Sequence, residues 1–243
     1  MEKDIYSYLK KFGDKSPQEL LERALSACKK KIALASSLGA EDQVLTDMIL
    51  KIDPGAGIFT LDTGRLPQET YDLIDETREK YKMRYEVYFP VARDVEKMER
   101  ECGANLFYRS LQYRKMCCGA RKVGPLKRAL KPLKAWITGL RREQAESRAG
   151  VDRVEWDGVH GLVKLNPLAD WTLDEVWKYI KDNNVPYNKL HGRGYPSIGC
   201  APCTRAVKEG ENIREGRWWW EIEGKKECGL HYGHAKQQGG LKK

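Results

Sequence analysis

Nowhere in these 243 residues does an apolar run approach the length of a membrane span. The N-terminal stretch MEKDIYSYLKKFGDKS lacks the uninterrupted apolar core of a secretory signal. Both absences argue for a cytoplasmic protein. No Gly-Lys-Ser/Thr phosphate loop occurs. Asp-Thr-Gly occurs once, at Asp62 to Gly64, with no second copy. That excludes an aspartic protease, whose two carboxylates share a proton. No internal repeat is present. An even, regularly spaced cysteine set is also missing: the seven cysteines are Cys28, Cys102, Cys117, Cys118, Cys200, Cys203 and Cys228. An odd count in a cytosolic chain argues against a disulfide framework and toward metal binding or catalysis.

What is present is a soluble, globular composition, 41% hydrophobic and 33% charged, with a net charge of +9. The length suits one large domain, or one domain with an appended piece. The basic balance favours anionic partners: nucleotides, nucleic acid, and sulfate or phosphate esters.

Strand and helix patterns alternate. SPQELLERALSACKK reads as a helix, with Ser16 as N-cap, Pro17 in the first turn and Glu19 completing a capping box. Its apolar residues recur at helical spacing and place Cys28 in the core. KIALASSL, GIFTLDT, RYEVYF and KAWITGL read as strands. AEDQVLTDMILKI, PQETYDLIDETREKY, CGARKVGPLKRALK and TLDEVWKYIKDNN read as helices. This alternation predicts an α/β fold, a parallel sheet with helices on both faces, over residues 1–184. Residues 185–243 form a loop-rich C-terminal segment, rich in Gly, Pro and Arg, that needs something besides a core to order it.

Ligands of such sheets bind beyond the carboxyl ends of the strands, so the informative loops are SSLGAED, LDTGRLP and TGLRREQ. Hydroxyls and a glycine between a strand and a helix suit an anion at the helix N-terminus. A strand-end Asp and Gly suit a nucleoside pocket. The adjacent pair Cys117–Cys118 is a poor disulfide, since neighbouring Cα atoms lie about 3.8 Å apart and disulfides span at least roughly 4.4 Å. Together with the Cys-x-x-Cys of Cys200 and Cys203 it makes a four-cysteine site for zinc or an iron–sulfur cluster. Adjacent ligands fit the separate iron corners of a cluster better than a zinc ion. Cys228 lies among Lys225, Lys226 and His231, a setting that lowers a thiol's pKa. The run Trp218–Trp220 reads as core or a partner face.

Together the elements SSLGAED, FTLDTGRLPQETY, CCGARKVGPLKRAL, WITGLRREQ, YPSIGCAPCTR, REGRWWWE and KKECGLH resemble the assimilatory sulfonucleotide reductases. More narrowly they resemble the cluster-containing adenosine 5′-phosphosulfate (APS) reductases, from about Lys31 to His231. The resemblance implies a modified PP-loop fold, of the adenine nucleotide alpha hydrolase type. It implies one 4Fe–4S cluster per subunit on Cys117, Cys118, Cys200 and Cys203, and Cys228 as nucleophile. Ser36, Ser37, Leu38 and Gly39 would line the nucleotide site, with Asp62 and Thr63 near the adenosine. Lys122 would lie between cluster and substrate. Arg141, Arg142, Arg214, Arg217 and His231 would meet the phosphosulfate, which of Arg141 and Arg142 being left open. His191 and Arg193 receive no role.

The implied activity is reduction of APS to sulfite and AMP in sulfate assimilation, through an S-sulfocysteine, with thioredoxin or a thioredoxin-like protein as a separate reductant. No fused thioredoxin-like domain is expected after Cys228, which is why the reductant is expected to be a separate protein. A mobile C-terminal segment carrying Cys228 is expected. No membrane or nucleic-acid partner is expected, and self-association into a homo-oligomer is left open. Two rivals stand beside this reading. One is a reductase of the 3′-phosphorylated nucleotide (PAPS), or of both nucleotides. The other is a zinc-stabilised nucleic-acid-binding module, suggested by the +9 charge and the tryptophans.

Overall fold

Ile32–Ser36 (β1) is a largely buried run of aliphatic and small residues, and it takes the inner position such runs favour. The structure is a computed structural model that describes residues 2–221. β1 pairs in parallel with Gly57–Leu61 (β2) on one side and Ala135–Ile137 (β4) on the other. Glu86–Tyr88 (β3) extends the sheet beyond β2. Leu162–Leu165 (β6) lies parallel beyond β4, and Val154–Asp157 (β5) closes that edge antiparallel. The order β3-β2-β1-β4-β6-β5 reverses direction at β1. Loops leaving β1 and β4 therefore part there and open a crevice at the carboxyl ends of the strands.

The first helices are Glu2–Lys10 (α1) and Pro17–Cys28 (α2). The capping box read from the sequence is present: Ser16 Oγ accepts from Glu19 N at 3.2 Å, and Glu19 Oε2 accepts from Ser16 N at 3.2 Å. Cys28 is buried among the leucines of α2. Ala40–Ile52 (α3) lies against the sheet and is buried almost throughout, polar residues included. Two of those groups bond to neighbouring segments. Asp47 accepts from Tyr81 of Gln68–Tyr81 (α4) at 2.8 Å and from Tyr179 of Leu173–Asp182 (α8) at 2.7 Å. Gln43 donates to Thr77 Oγ1 and to Pro186 O, both at 2.9 Å. These bonds tie α3, α4 and the stretch after α8 into one unit.

The opposite face carries Gly124–Leu130 (α7), whose Leu126, Ala129 and Leu130 pack on Ala33, Phe59 and Trp136. Two helices precede it, Ala92–Cys102 (α5) and Leu111–Cys118 (α6). The expected sheet with helices on both faces is thus observed. α1, α5, α6 and the β5–β6 hairpin are additions that the sequence patterns did not announce. Among the described residues no helix is long and apolar enough to cross a membrane.

Candidate functional site

The loop from β1 to α3 is held in shape by its own helix. Ser37 donates its backbone N–H (2.7 Å) and its hydroxyl (2.6 Å) to Asp42 Oδ2, and Leu38 N–H donates to Ser36 Oγ at 3.2 Å. Leu38 turns the corner with φ +62°, a left-handed value that a β-carbon makes costly, and buries its side chain in the core. Asp42 is fully enclosed. Burial pushes its carboxyl up to about 6, against the Ser37 bonds that favour the ionised form. Room for it exists because residue 139 is glycine: a Cβ there would lie 2.4 Å from Asp42 Oδ1. α3 starts at Gly39 without a side-chain cap among the described residues, and its first turn, Ala40 to Asp42, lines the crevice.

That crevice is a cavity of about 230 Å³. Ala35, Phe59, Leu61, Leu126 and Trp136 make an apolar wall, and Lys122, Arg141, Arg148, Arg214 and Arg217 supply cations. Of the residues expected at the substrate, Ser36, Ser37, Gly39, Lys122, Arg141, Arg214 and Arg217 line it. Arg141 is buried and pinned by Glu41 (2.9 Å), Glu143 (3.1 Å) and Trp171 O (3.1 Å).

Four expected residues do not line it. Arg142 turns away to Val151 O (2.8 Å) and pairs with Asp170. The backbone at Arg141 is extended, so consecutive side chains leave on opposite sides. Leu38 is core. Asp62 accepts from Gly64 N (2.7 Å) and the Tyr71 hydroxyl (2.9 Å), shaping the turn after β2. Thr63 faces the cysteines, with Oγ1 3.2 Å from Cys200 Sγ. Cys228 and His231 lie outside the described residues.

The sequence reading missed several lining residues, among them Gln144, Arg148, His191 and Ser197. His191 rests edge-on against Trp177, and its Nε2 is buried without a partner among the described residues. Burial lowers its pKa, which favours the neutral ring. The available signal was position, since His191 and Ser197 fall just before Cys-x-x-Cys.

Behind the crevice lies a second, smaller cavity of about 20 Å³, lined by Cys117, Cys118, Cys200 and Cys203. Cys117 and Cys118 end α6, and the chain continues into α7 through a single π-helical turn, Gly119–Val123. Gly124 N–H reaches back five residues to Gly119 O, and Pro125 has no N–H to give. Cys200 and Cys203 flank a 3₁₀ turn anchored by Ala201 N–H on Arg65 O (2.7 Å) and by the Tyr108 hydroxyl on Pro202 O (2.8 Å).

Arg65, Arg114, Arg121, Lys122 and Arg217 surround the sulfurs. Burial pushes the Cys117 thiol up, against Arg121. Burial, reinforced by Cys200, pushes Cys203 up to about 12. At Cys200 burial also acts upward, but Lys122, the Thr63 hydrogen bond and the two arginines outweigh it and the pKa falls. None of the described cysteines is in a disulfide. Among the described residues no three His, Cys, Asp or Glu side chains are set to hold a single metal ion.

Trp218 backs this cavity. It is fully buried, with Arg114 and Arg217 guanidinium carbons 4.4 Å and 4.8 Å from its ring centre. Lys122 and Arg217 belong to both cavities, which makes them a shared wall.

The phosphoadenosine phosphosulfate reductase domain model matches residues 31–206. An adenosine 5′-phosphosulfate reductase of Burkholderia cepacia is 53% identical over 201 residues, 83% of this chain and 80% of that protein. One from Allochromatium vinosum is 53% identical over 200 residues, 82% of this chain and 78% of that protein. The crystal structure of a phosphoadenylyl-sulfate (PAPS) reductase from Candida auris superposes with a TM-score of 0.69 at 28% identity, covering 83% of this chain and 97% of that one. A Candida glabrata FMN adenylyltransferase shares the fold alone, with a TM-score of 0.56 at 15% identity over 88% of this chain and 73% of that one. With a sheet of this order, a cationic crevice at its switch point and this extent of similarity, the chain belongs to the APS/PAPS reductase family.

Proposed function

We propose that this chain reduces adenosine 5′-phosphosulfate to sulfite and AMP, with Cys228 as nucleophile and a thioredoxin-like dithiol as electron donor. The observation that carries the reading is the wall that Lys122 and Arg217 share between the crevice and the four-cysteine cavity. The relatives named as APS reductases support the choice of substrate.

In this reading the adenosine lies on the apolar wall and the phosphosulfate faces the cations. Arg141, Arg214, Arg217 and Lys122 bind the non-bridging oxygens and offset their charge, because a thiolate approaching the anionic phosphosulfate anhydride is otherwise repelled. The Cys228 sulfur attacks the sulfate sulfur. An S–S bond forms, the bond from sulfur to the phosphate oxygen breaks, and AMP leaves, with S-sulfocysteine on the protein. A thiolate of the donor then attacks the Cys228 sulfur and sulfite departs. The donor's second thiol resolves the mixed disulfide, so both electrons come from the dithiol.

Cys117, Cys118, Cys200 and Cys203 would hold a 4Fe–4S cluster, one per chain. Four thiols in one small cavity, ringed by cations, suit a polyanionic group with a thiolate at each iron. Ligands spread over separate irons also need no single focal point, in keeping with the arrangement among the described residues. When bound, the cluster supplies fixed charge beside the substrate and a covalent tie between α6 and the C-terminal segment.

The test is an assay of purified protein with reduced thioredoxin and either APS or its 3′-phosphorylated form. Sulfite release with APS is expected, at a higher initial rate than with PAPS. A strong preference for PAPS overturns the choice of substrate. Cys228→Ser is expected to keep iron while abolishing both turnover and the S-sulfocysteine adduct seen by mass spectrometry. Turnover in that variant overturns the mechanism.

A further inference from the structure

Five cations around four thiols need anchoring, since unpaired guanidinium groups this close repel one another. Arg114 is anchored by both carboxylate oxygens of Glu221. Arg65 and Arg121 share one oxygen of another residue: Glu99 Oε1 accepts from Arg121 Nη2 at 2.5 Å and from Arg65 Nη2 at 3.2 Å. Glu99 sits on α5 next to Met98, the one buried residue of that helix, and is itself partly exposed.

The other contacts of the two arginines lead to the cysteines. Arg121 Nη1 donates to Thr63 O at 2.7 Å, and Thr63 Oγ1 lies 3.2 Å from Cys200 Sγ. Arg65 Nη2 also donates to Ala104 O at 2.7 Å, and Arg65 O holds the turn between Cys200 and Cys203. Arg121 is buried, and its Nε–H has no partner among the described residues.

We propose that Glu99 is a positioning residue for the four-cysteine cavity: one carboxylate oxygen holds Arg65 and Arg121 beside the sulfurs and offsets part of their charge. The inference rests on the reading of those cysteines as cluster ligands. Glu99 lines neither cavity; it acts through the two arginines.

The test compares anaerobically purified full-length protein with Glu99→Gln, Glu99→Ala and, as a control, Glu96→Ala at an exposed position of the same helix. Three quantities are read: iron per chain, the rate of iron loss to a ferrous chelator, and the fraction of cluster reduced at one fixed low potential by electron paramagnetic resonance. Glu99→Ala is expected to lose iron several-fold faster than wild type. Glu99→Gln keeps an acceptor oxygen and is expected to lose iron near the wild-type rate. Both are expected to show a larger reduced fraction, because removing a nearby negative charge favours the reduced, more negatively charged state. Glu96→Ala is expected to match wild type in all three. Wild-type iron loss and reduced fraction in Glu99→Ala overturn the proposal while leaving the cluster reading in place. If Glu99→Ala does not fold, an unchanged reduced fraction in Glu99→Gln overturns it. Absence of iron from the wild type overturns the cluster reading and this inference with it.

Discussion

Gly199 and Arg217 pack so closely that a Cβ on the glycine would lie 2.2 Å from Arg217 Nη2 and 2.7 Å from its Cζ. The guanidinium cannot simply swing aside, since it is buried and donates to Cys203 O, Ser197 Oγ and Ile198 O, each at 3.3 Å. Gly199→Ala is therefore expected to displace Arg217 from the wall it shares between the two cavities. Overpacking of this kind destabilises by about 1–3 kcal/mol, and loss of a buried cation at the reacting group is expected to lower kcat/KM by roughly 100-fold. Steady-state kinetics and a denaturant melt check this. Kinetics unchanged in Gly199→Ala would mean that Arg217 does not meet the substrate.

Arg141 and Arg142 are neighbours in the chain with opposite fates. Arg141→Ala leaves the Glu41 carboxylate, largely enclosed, without its partner. Stability is expected to fall by about 3–5 kcal/mol, and nucleotide binding to fall with it. Arg142→Ala removes a half-exposed ion pair with Asp170 and is expected to change stability by about 1 kcal/mol or less, with KM for the nucleotide unchanged. A titration of nucleotide binding to both variants decides between them. Equal losses in the two would contradict the placement of Arg142 outside the crevice.

Asp42 makes the fold pH-dependent with a definite sign. Its carboxyl titrates at about 6 in the folded protein against an ordinary value of 3.8, so the folded state holds the proton more tightly than the unfolded chain. Its contribution to stability is highest below the ordinary value. It falls as pH rises from about 4 to about 6 and is constant above that, a total of ~3 kcal/mol. Asp42→Asn removes this titration. The stability difference between wild type and variant, from denaturant melts between pH 4 and 7, is expected to change by about 2 kcal/mol, most of that total. A difference that stays constant across the range would show that the Asp42 carboxyl titrates alike in the folded and unfolded states.

Cys203 and Cys28 are both buried, but only Cys203 lines the small cavity. Cys203→Ser is expected to lose iron and activity together. Cys28→Ser places a hydroxyl among leucines at a cost of about 1–3 kcal/mol and is expected to keep both. Iron analysis of the purified variants is the measurement. Full iron content in Cys203→Ser would remove it from the ligand set.

What was legible in the sequence was local. The capping box of α2 needs only Ser16 and Glu19, and both are where the pattern put them. The grouping of Cys117, Cys118, Cys200 and Cys203 followed from their spacing, and the structure gathers all four around one cavity. α5 escaped notice because it is almost wholly exposed, with one buried residue where a helical stripe has three or four per two turns. The β5–β6 hairpin escaped because each strand is only four residues long, too short for a period to declare itself. With them went any sign of Glu99, which in the chain is one charge in a run of charges.

The chain by itself determined which chemistry is available here: thiols in pairs, cations in excess, and a strand–helix alternation that must open a crevice at the sheet's switch point. Side-chain type and short-range spacing set these, and both are properties of the sequence alone. Only the tertiary structure decided which cations meet in that crevice, that Arg142 and Asp62 turn away from it, and that Lys122 and Arg217 wall two cavities at once. Those outcomes depend on close packing between segments as far apart as β1, α6 and the turn around Cys203. No local pattern encodes whether a guanidinium finds a carboxylate, a carbonyl or open space at the end of its reach.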